Sequence, residues 1–419
     1  MINIEKEYKL LEELSFVRVS GTDGETKAAQ YILEQLDKED LDAYIDPFRV
    51  DSFKVEKSTL EVLEPVKKSY PVMTYANSGC TDDGGLVGEL YIYEGNNEVN
   101  KKDAKGKIVL VNGLLKRDVY KELCKAGAIG FIAFNGNIDM PYNETDIDTK
   151  ELRAPFREYG VIPGVQMKVH DVLDLVESGA KTVKITVNQP IGKAESANVI
   201  CSVEGTENTQ ETIVVTAHYD SVPFSKGAYD NATGSACLYA LAMYFDKHAP
   251  KRNIKFVFCG SEERGLLGSK LYCRRYRSTL ENVVLNVNID MIGSTLGKAI
   301  SVATADNELV NYTDYFAKIQ GYPLEASQGV YSSDSTPFAD NGIPAISFAR
   351  ITPNGGGAIH NRFDVMEHLN KNNLEKDTEF IAKYIETLAN AYAFPVKKEM
   401  PDNMKEELDK YLGREKNDK

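Results

Sequence analysis

Three apolar runs in the second half of the chain stop abruptly at acidic or imidazole side chains, and that punctuation constrains the fold. Residues 213–217 (Ile-Val-Val-Thr-Ala) read as a buried strand and lead directly into His218 and Asp220. Residues 254–259 (Ile-Lys-Phe-Val-Phe-Cys) read as another, with Glu262 and Glu263 just beyond, and residues 283–289 (Val-Val-Leu-Asn-Val-Asn-Ile) as a third, closed by Asp290. From residue 197 onward such strands alternate with helical patterns at 231–247, 265–276, 306–320, 337–341 and 372–393. Alternation of this kind argues for an α/β fold, a sheet covered by helices. Open α/β sheets carry their sites beyond the carboxyl ends of the strands, and three separate strands here deliver polar groups at that end.

The groups delivered form a particular inventory: His218, Asp230, Glu262, Glu263, Asp290 and His360. Carboxylates can each anchor a cation and one can bridge two, imidazoles complete the shells, and one carboxylate is left over as a base, which is the chemistry of a two-metal hydrolytic site. Each residue has a plainer use. Asp230-Asn231 precedes a helix rich in small residues, where an N-cap is expected. Glu262-Glu263 can be a first-turn acidic pair favoured by the helix dipole, and residue chemistry alone does not say which Glu has which role. His360 follows Gly355-Gly356-Gly357 in a loop, with Asp364 four residues on. Asp220, two residues after His218, is placed to take the second ring N–H of a ligating imidazole. The combination favours a metallohydrolase.

Charge and length narrow the remaining classes. A formal net charge of −14 over 419 residues disfavours nucleic-acid and anionic-membrane partners, which need basic surface. No stretch approaches roughly 20 uncharged apolar residues, and the first residues lack the basic-then-apolar plan of a signal peptide. Cytoplasmic residence is the expectation. The six scattered cysteines, several inside apolar runs, read as core thiols. The sequence gives no oligomeric state.

The first half is organised differently. Residues near 1–48 read as helical, with Ala28, Ala29, Ile32, Leu33 and Leu36 on one face of a helix at 26–36. Between about 51 and 191, short alternating segments divided by Gly, Asn and Asp turns, a strand at 105–111, a helix at 119–126 and an apolar run at 128–134 describe an α+β block with no cluster of His, Asp and Glu at strand ends. Residues 397–419 are highly charged and read as a solvated or frayed helix.

Five motifs together resemble the di-zinc aminopeptidase family of bacterial leucyl-type and aminopeptidase Y enzymes: Ala217-His218-Tyr219-Asp220, the segment 228–234 around Asp230, the segment 260–269 around Glu262-Glu263, the segment 288–293 around Asp290, and Ser333-Asp334-Ser335-Thr336-Pro337-Phe338. The segments 105–111, 125–132 and 162–165 resemble a protease-associated domain. The resemblance implies a zinc-peptidase type of mixed, mostly parallel sheet flanked by helices, with a discontinuous catalytic domain at 1–48 and 197–395, an inserted α+β protease-associated domain at 49–196, and a charged tail at 396–419. It implies two Zn²⁺ ions, replaceable by Co²⁺ or Mn²⁺, one held by His218, Asp230 and Asp290 and the other by Asp230, Glu263 and His360. Glu262 is then the general base and Asp220 the partner of His218, and a cis peptide is expected at Asp230-Asn231. The implied activity is hydrolysis of N-terminal peptide bonds in peptide substrates. The alternatives are a carboxypeptidase or dipeptidase with the same metal cluster, which needs a cation such as Arg350 or Arg362 for a C-terminal carboxylate, and a non-catalytic binding protein on the same scaffold. Two positions depart from the pattern: Ile359 stands where many relatives have Tyr, so that an oxyanion donor comes from elsewhere, Tyr331 or Arg350, or the metal suffices, and Ser335 stands where many have His or Tyr.

Overall fold

The computed structural model describes residues 1–414 other than 96, 148, 149 and 208. The chain divides into two compact units, Met1–Val50 with Glu195–Lys419, and Asp51–Ala194.

The first unit is built on eight strands: β1 (Asp42–Phe53), β2 (Ile191–Val203), β3 (Thr212–His218), β4 (Asn253–Cys259), β5 (Val283–Ile289), β6 (Lys298–Thr304), β7 (Leu324–Gln328) and β8 (Ala345–Ile351). They lie in the order β1-β2-β4-β3-β5-β8-β6-β7. The central four, β4-β3-β5-β8, are parallel, while β2 joins β4 and β6 joins β8 antiparallel. The sheet is therefore mixed with a parallel centre. The chain steps from β3 out to β4 and then back across β3 to β5, so the loops at these carboxyl ends part around β3, where such sheets hold their sites.

Both faces of the sheet are covered, as the apolar runs require. Ile213 and Val215 pack into the larger core with Phe256 and Val287, while Val214 between them packs with Ile200, Val257 and Phe338 on the other side. The helices are α1 (Ile4–Leu14), α2 (Asp23–Asp37), α3 (Thr233–Lys247), α4 (Leu267–Arg275), α5 (Asn307–Gln320), α6 (Ser335–Asp340), α7 (Lys371–Ala389) and α8 (Asp402–Leu412). Helix α3 is buried from Thr233 to Met243 without a break, with small residues at Gly234, Ala236, Ala240 and Ala242, and α1 and α7 pack on it. No helix among the described residues is long and apolar enough to cross a membrane. Of the six cysteines, Cys201, Cys237, Cys259 and Cys273 are buried, whereas Cys80 is exposed.

Two expectations are corrected. The helical reading of residues 1–48 fails at its end, because β1 begins at Asp42. Phe48 and Val50 are buried between exposed Pro47 and Arg49, a period of two that the polar and proline residues disguise. The C-terminal stretch is not simply solvated: α8 buries Met404 and Leu408, with Met400, against Ala339 and Ala345. A charged helix needs only this narrow apolar stripe to dock. Residues 415–419 of that stretch lie outside the described residues.

The second unit carries an eight-stranded sheet of its own. Leu86–Tyr93, Ile108–Val111, Gly130–Asn135 and Gly164–Lys168 are parallel neighbours in it, and Thr182–Asn188 pairs antiparallel with Lys57–Glu64 and with Leu86–Tyr93. One core gathers Leu60, Ile108, Ile132 and Ile185, a second Val109, Tyr120, Phe131 and Leu152.

Candidate metal centre

Strand β3 ends at His218, whose Nε2 stands 3.2 Å from Asp230 Oδ1 and 3.6 Å from Asp290 Oδ1. The loop after β8 returns His360, with Nε2 3.1 Å from Asp230 Oδ2 and 3.3 Å from Glu263 Oε2. Asp230 thus lies between two groups and turns one oxygen to each. In each group, His218 with Asp230 and Asp290, and Asp230 with Glu263 and His360, the donor atoms all lie within 4.8 Å of one another. Among the described residues these are the two clusters that can hold a metal ion, and both belong to the first unit. Glu262 belongs to neither.

The donor set fits zinc. Two atoms each about 2.0–2.2 Å from a zinc ion at a tetrahedral angle are about 3.3–3.6 Å apart, close to the separations at both imidazoles. Asp290 Oδ1 is buried without a hydrogen-bond partner, costly for an anion unless a cation meets it. His218, Asp230 and Asp290 are all buried, and His360 is the exposed member.

Three further carboxylates hold the backbone that presents these groups. Asp220 accepts from the N–H of Glu262 at 2.9 Å and of Glu263 at 3.1 Å, one on each oxygen. His218 Nδ1 meets the Asp220 backbone carbonyl at 3.3 Å and lies 3.5 Å from its Oδ1, so the expected partner reaches the imidazole through its main chain while its carboxylate fixes the neighbouring glutamates. Asp364 accepts from the N–H of Tyr229 at 2.7 Å and of Asp230 at 3.2 Å. Glu25, from α2, accepts from the N–H of Ser261 at 2.9 Å. The Asp230–Asn231 peptide is cis. Asn231, not Asp230, serves the start of α3: its Oδ1 accepts from the N–H of Gly234 at 2.9 Å and of Met291 at 3.1 Å. That leaves the Asp230 carboxylate to face the histidines.

Electrostatics follow from this crowding. Burial opposes charge on His218, yet the carboxylates of Glu262, Asp220, Asp230 and Asp290 hold its imidazole well above the ordinary value. His360 has its side chain partly open to solvent, but its ring is packed among the site's carboxylates; the desolvation there opposes charge, and Asp230 and Glu263 outweigh it, lifting the group to about 11. Burial would raise Asp230, but the two imidazoles hold it below the usual carboxylate range. Burial pushes Glu262 well up, against His218 and with Glu263, Asp334 and Asp290. The crowded carboxylates favour positive charge at this point of the fold, which bound cations can supply.

Sequence reasoning noted Asp364 beside His360 without giving it a role, and missed Glu25 and Arg18. The buried Arg18 guanidinium donates to the carbonyls of Tyr219 at 2.5 Å, Lys226 at 2.6 Å and Gly227 at 3.0 Å, tying the segment that leads to Asp230. Their partners are backbone atoms and, for Glu25 and Asp364, serine hydroxyls, which leave no mark in sequence. Of the two residues considered as oxyanion donors, Arg350 is committed elsewhere: its guanidinium grips buried Asp377 at 2.6 and 2.8 Å and donates to Gly297 O at 3.1 Å. Tyr331 lies within electrostatic reach of Asp290, Asp230 and Glu262. Ile359 is half-exposed beside His360.

Residues 198–385 match the model of peptidase family M28. Over 420 residues the chain is 27% identical to Aminopeptidase YwaD of Bacillus subtilis, spanning 96% of this chain and 87% of that protein. It is 25% identical over 291 residues to Carboxypeptidase Q of Xenopus laevis, 65% of this chain and 62% of that one. A solved zinc aminopeptidase from Bacillus subtilis superposes with a TM-score of 0.79 at 26% identity, covering 96% of this chain and 98% of the other.

Proposed function

We propose that this chain, a member of peptidase family M28, is a zinc-dependent aminopeptidase holding two zinc ions, one on His218, Asp230 and Asp290 and the other on Asp230, Glu263 and His360. The observation that carries the reading is the division of the Asp230 carboxylate, one oxygen toward each histidine. Bound zinc supplies the positive charge that acidifies a water and polarises the scissile carbonyl. Glu262, free of both ligand groups and held at its backbone by Asp220, takes the proton of the attacking water and returns it to the leaving amine. Asp220 also restrains the His218 ring. Tyr331, whose phenol is kept protonated by burial and by the nearby carboxylates of Asp290, Asp230 and Glu262, is the donor to the oxyanion in place of the tyrosine that Ile359 replaces.

Three observations favour the amino end of the peptide. A carboxypeptidase needs a cation for the terminal carboxylate, and of the two candidates Arg350 is engaged by Asp377. The acid-rich surroundings suit an ammonium instead, and the likeness to the Bacillus aminopeptidase spans 96% of the chain against 65% for the carboxypeptidase. The second unit, on its three sequence motifs, is read as a protease-associated domain. Cytoplasmic residence belongs to the same proposal and is in line with six cysteines present as free thiols.

The test is metal content with hydrolysis of aminoacyl and carboxypeptidase reporter peptides. Protein purified without chelator should contain up to two zinc ions and cleave the aminoacyl reporters, and chelation should abolish that activity. Full activity in exhaustively metal-free protein, or cleavage of the carboxypeptidase reporters alone, would overturn the proposal.

A further inference from the structure

The loop from residue 328 to 334 borders the proposed site and is tied down on three sides. From the sheet below, Thr304 Oγ1 donates to Gly329 O at 2.7 Å. From the site, Asn288, two residues before Asp290, donates to Ser333 Oγ at 3.0 Å, and Ser269 donates to Asp334 Oδ1 at 2.5 Å. From outside, helix α8 reaches it with one residue per turn. Asn403 Nδ2 donates to Gln328 Oε1 at 2.9 Å, Glu407 Oε1 accepts from the N–H of Val330 at 3.1 Å, and the Tyr411 hydroxyl meets Ser332 Oγ at 2.5 Å.

The spacing has a simple origin. Residues four apart lie on one face of a helix. Positions 403, 407 and 411 therefore engage 328, 330 and 332 in step, and Tyr331 stands between the last two, its carbonyl accepting from the N–H of Ser333 at 2.8 Å and from Thr336 Oγ1 at 2.9 Å. Met404 and Leu408 dock the same helix on Ala339 and Ala345, and Arg414 closes it with paired bonds to Asp340 at 2.5 and 2.8 Å. A carboxylate receiving a backbone N–H makes one of the stronger hydrogen bonds available to a side chain, so Glu407 is the central tie.

We propose that α8 is the positioning element for Tyr331: Glu407 and Tyr411 fix the residues on either side of it and so set where its hydroxyl stands over the substrate. Glu407 and Tyr411 are positioning residues, and Tyr331 alone touches the substrate. The inference rests on the peptidase reading for its kinetic consequence, while the tie between Glu407 and the loop does not.

The experiment compares the full-length chain with Glu407→Ala, Glu407→Gln, Tyr331→Phe and the double variant Glu407→Ala/Tyr331→Phe. It measures hydrogen exchange across 328–334, zinc content, and kcat and KM on an aminoacyl p-nitroanilide. Glu407→Ala should speed exchange of the loop, keep its zinc, and lower kcat by about 10- to 100-fold with little change in KM, the scale of a misplaced group. Glu407→Gln, which keeps the acceptor oxygen, should restore most of both. In the Tyr331→Phe background, Glu407→Ala should cost little more, because the two act through one hydroxyl. Independent losses that multiply, or faster exchange with kcat unchanged, would overturn the proposal, as would exchange unchanged in Glu407→Ala. A wild type that hydrolyses nothing while Glu407→Ala still loosens the loop would refute the peptidase reading and leave the tie standing.

Discussion

Glu262 and Glu263 are neighbours in the chain, their backbone N–H groups held by the two oxygens of one aspartate, yet they meet different surroundings. Glu263 is paired with His360 in a donor cluster, and Glu262 is outside both clusters. Glu262→Gln keeps shape and hydrogen-bonding capacity but cannot take a proton at neutral pH. It should hold both zinc ions while kcat falls about 10²–10⁴-fold. Glu263→Gln should weaken one site, and added zinc should restore part of the activity. Metal stoichiometry with kinetics on both variants decides it; the reverse pattern would exchange the two roles. Asp364→Ala removes the acceptor for two N–H groups at Tyr229 and Asp230 and should loosen zinc about 10- to 100-fold, measured by competition with a chromophoric chelator; unchanged affinity would show that Asp230 keeps its place without it. The residues that converge were legible because metal and proton chemistry accept few side-chain types, all named in the sequence. Asp364 and Glu25 were not, since a carboxylate that holds backbone N–H groups looks like any other acid until the fold brings it 134 or 236 residues along the chain to its partner.

At the scale of elements, periodicity served the buried strands and the amphipathic helices and failed where polar residues sit inside. Strand β5 carries buried Asn286 and Asn288: Asn286 Nδ2 donates to Val214 O, and Asn288 accepts from Thr216 and donates to Ser333; an apolar tally alone undervalues it. The same holds for β1, where buried Asp46 is paired with Arg275. Helix α1 contains a sharper case. Glu7 is fully buried against α7, with Oε1 accepting from Thr378 at 2.6 Å and Oε2 without a partner. Burial lifts its carboxyl to about 8, with Asp377 and Glu375 adding. Above the ordinary value of 4.5 the unfolded chain gives up this proton while the folded chain keeps it until about 8. Stability from this group is therefore lost as pH rises across that window and levels off above it, a change on the order of a few kcal/mol. Glu7→Gln, neutral throughout, should flatten the pH dependence and melt above the wild type at pH 8.5 but not at pH 5. Thermal melts across that range check it, and parallel curves for the two proteins would show that Glu7 is not protonated in the fold.

At the scale of the whole molecule, the alternation of strands and helices after residue 197 made the α/β architecture readable, and the switch to short alternating segments between 51 and 191 marked a change of character. The order of the strands was not readable, because β1 and β2 come from opposite sides of a 137-residue interval between Phe53 and Ile191 and pair only in three dimensions. Each unit has its own buried cores, while both donor clusters lie in the first unit. A ligand that binds only the folded form stabilises the part that holds it, by about 4 kcal/mol when its free concentration is a thousand times Kd. Zinc should accordingly protect Met1–Val50 with Glu195–Lys419 and do little for Asp51–Ala194. For a unit of this size that is a rise of about 10 °C in its midpoint. Hydrogen exchange followed along a thermal ramp, with zinc and with chelator, assigns each transition to its residues. Chelation should lower the transition of strands β3, β4 and β5 and leave that of Ile108–Val111 and Gly130–Asn135 in place. If both sets of strands shift together, the two units melt as one cooperative body; if neither shifts, zinc is not bound where the His218 and His360 clusters place it.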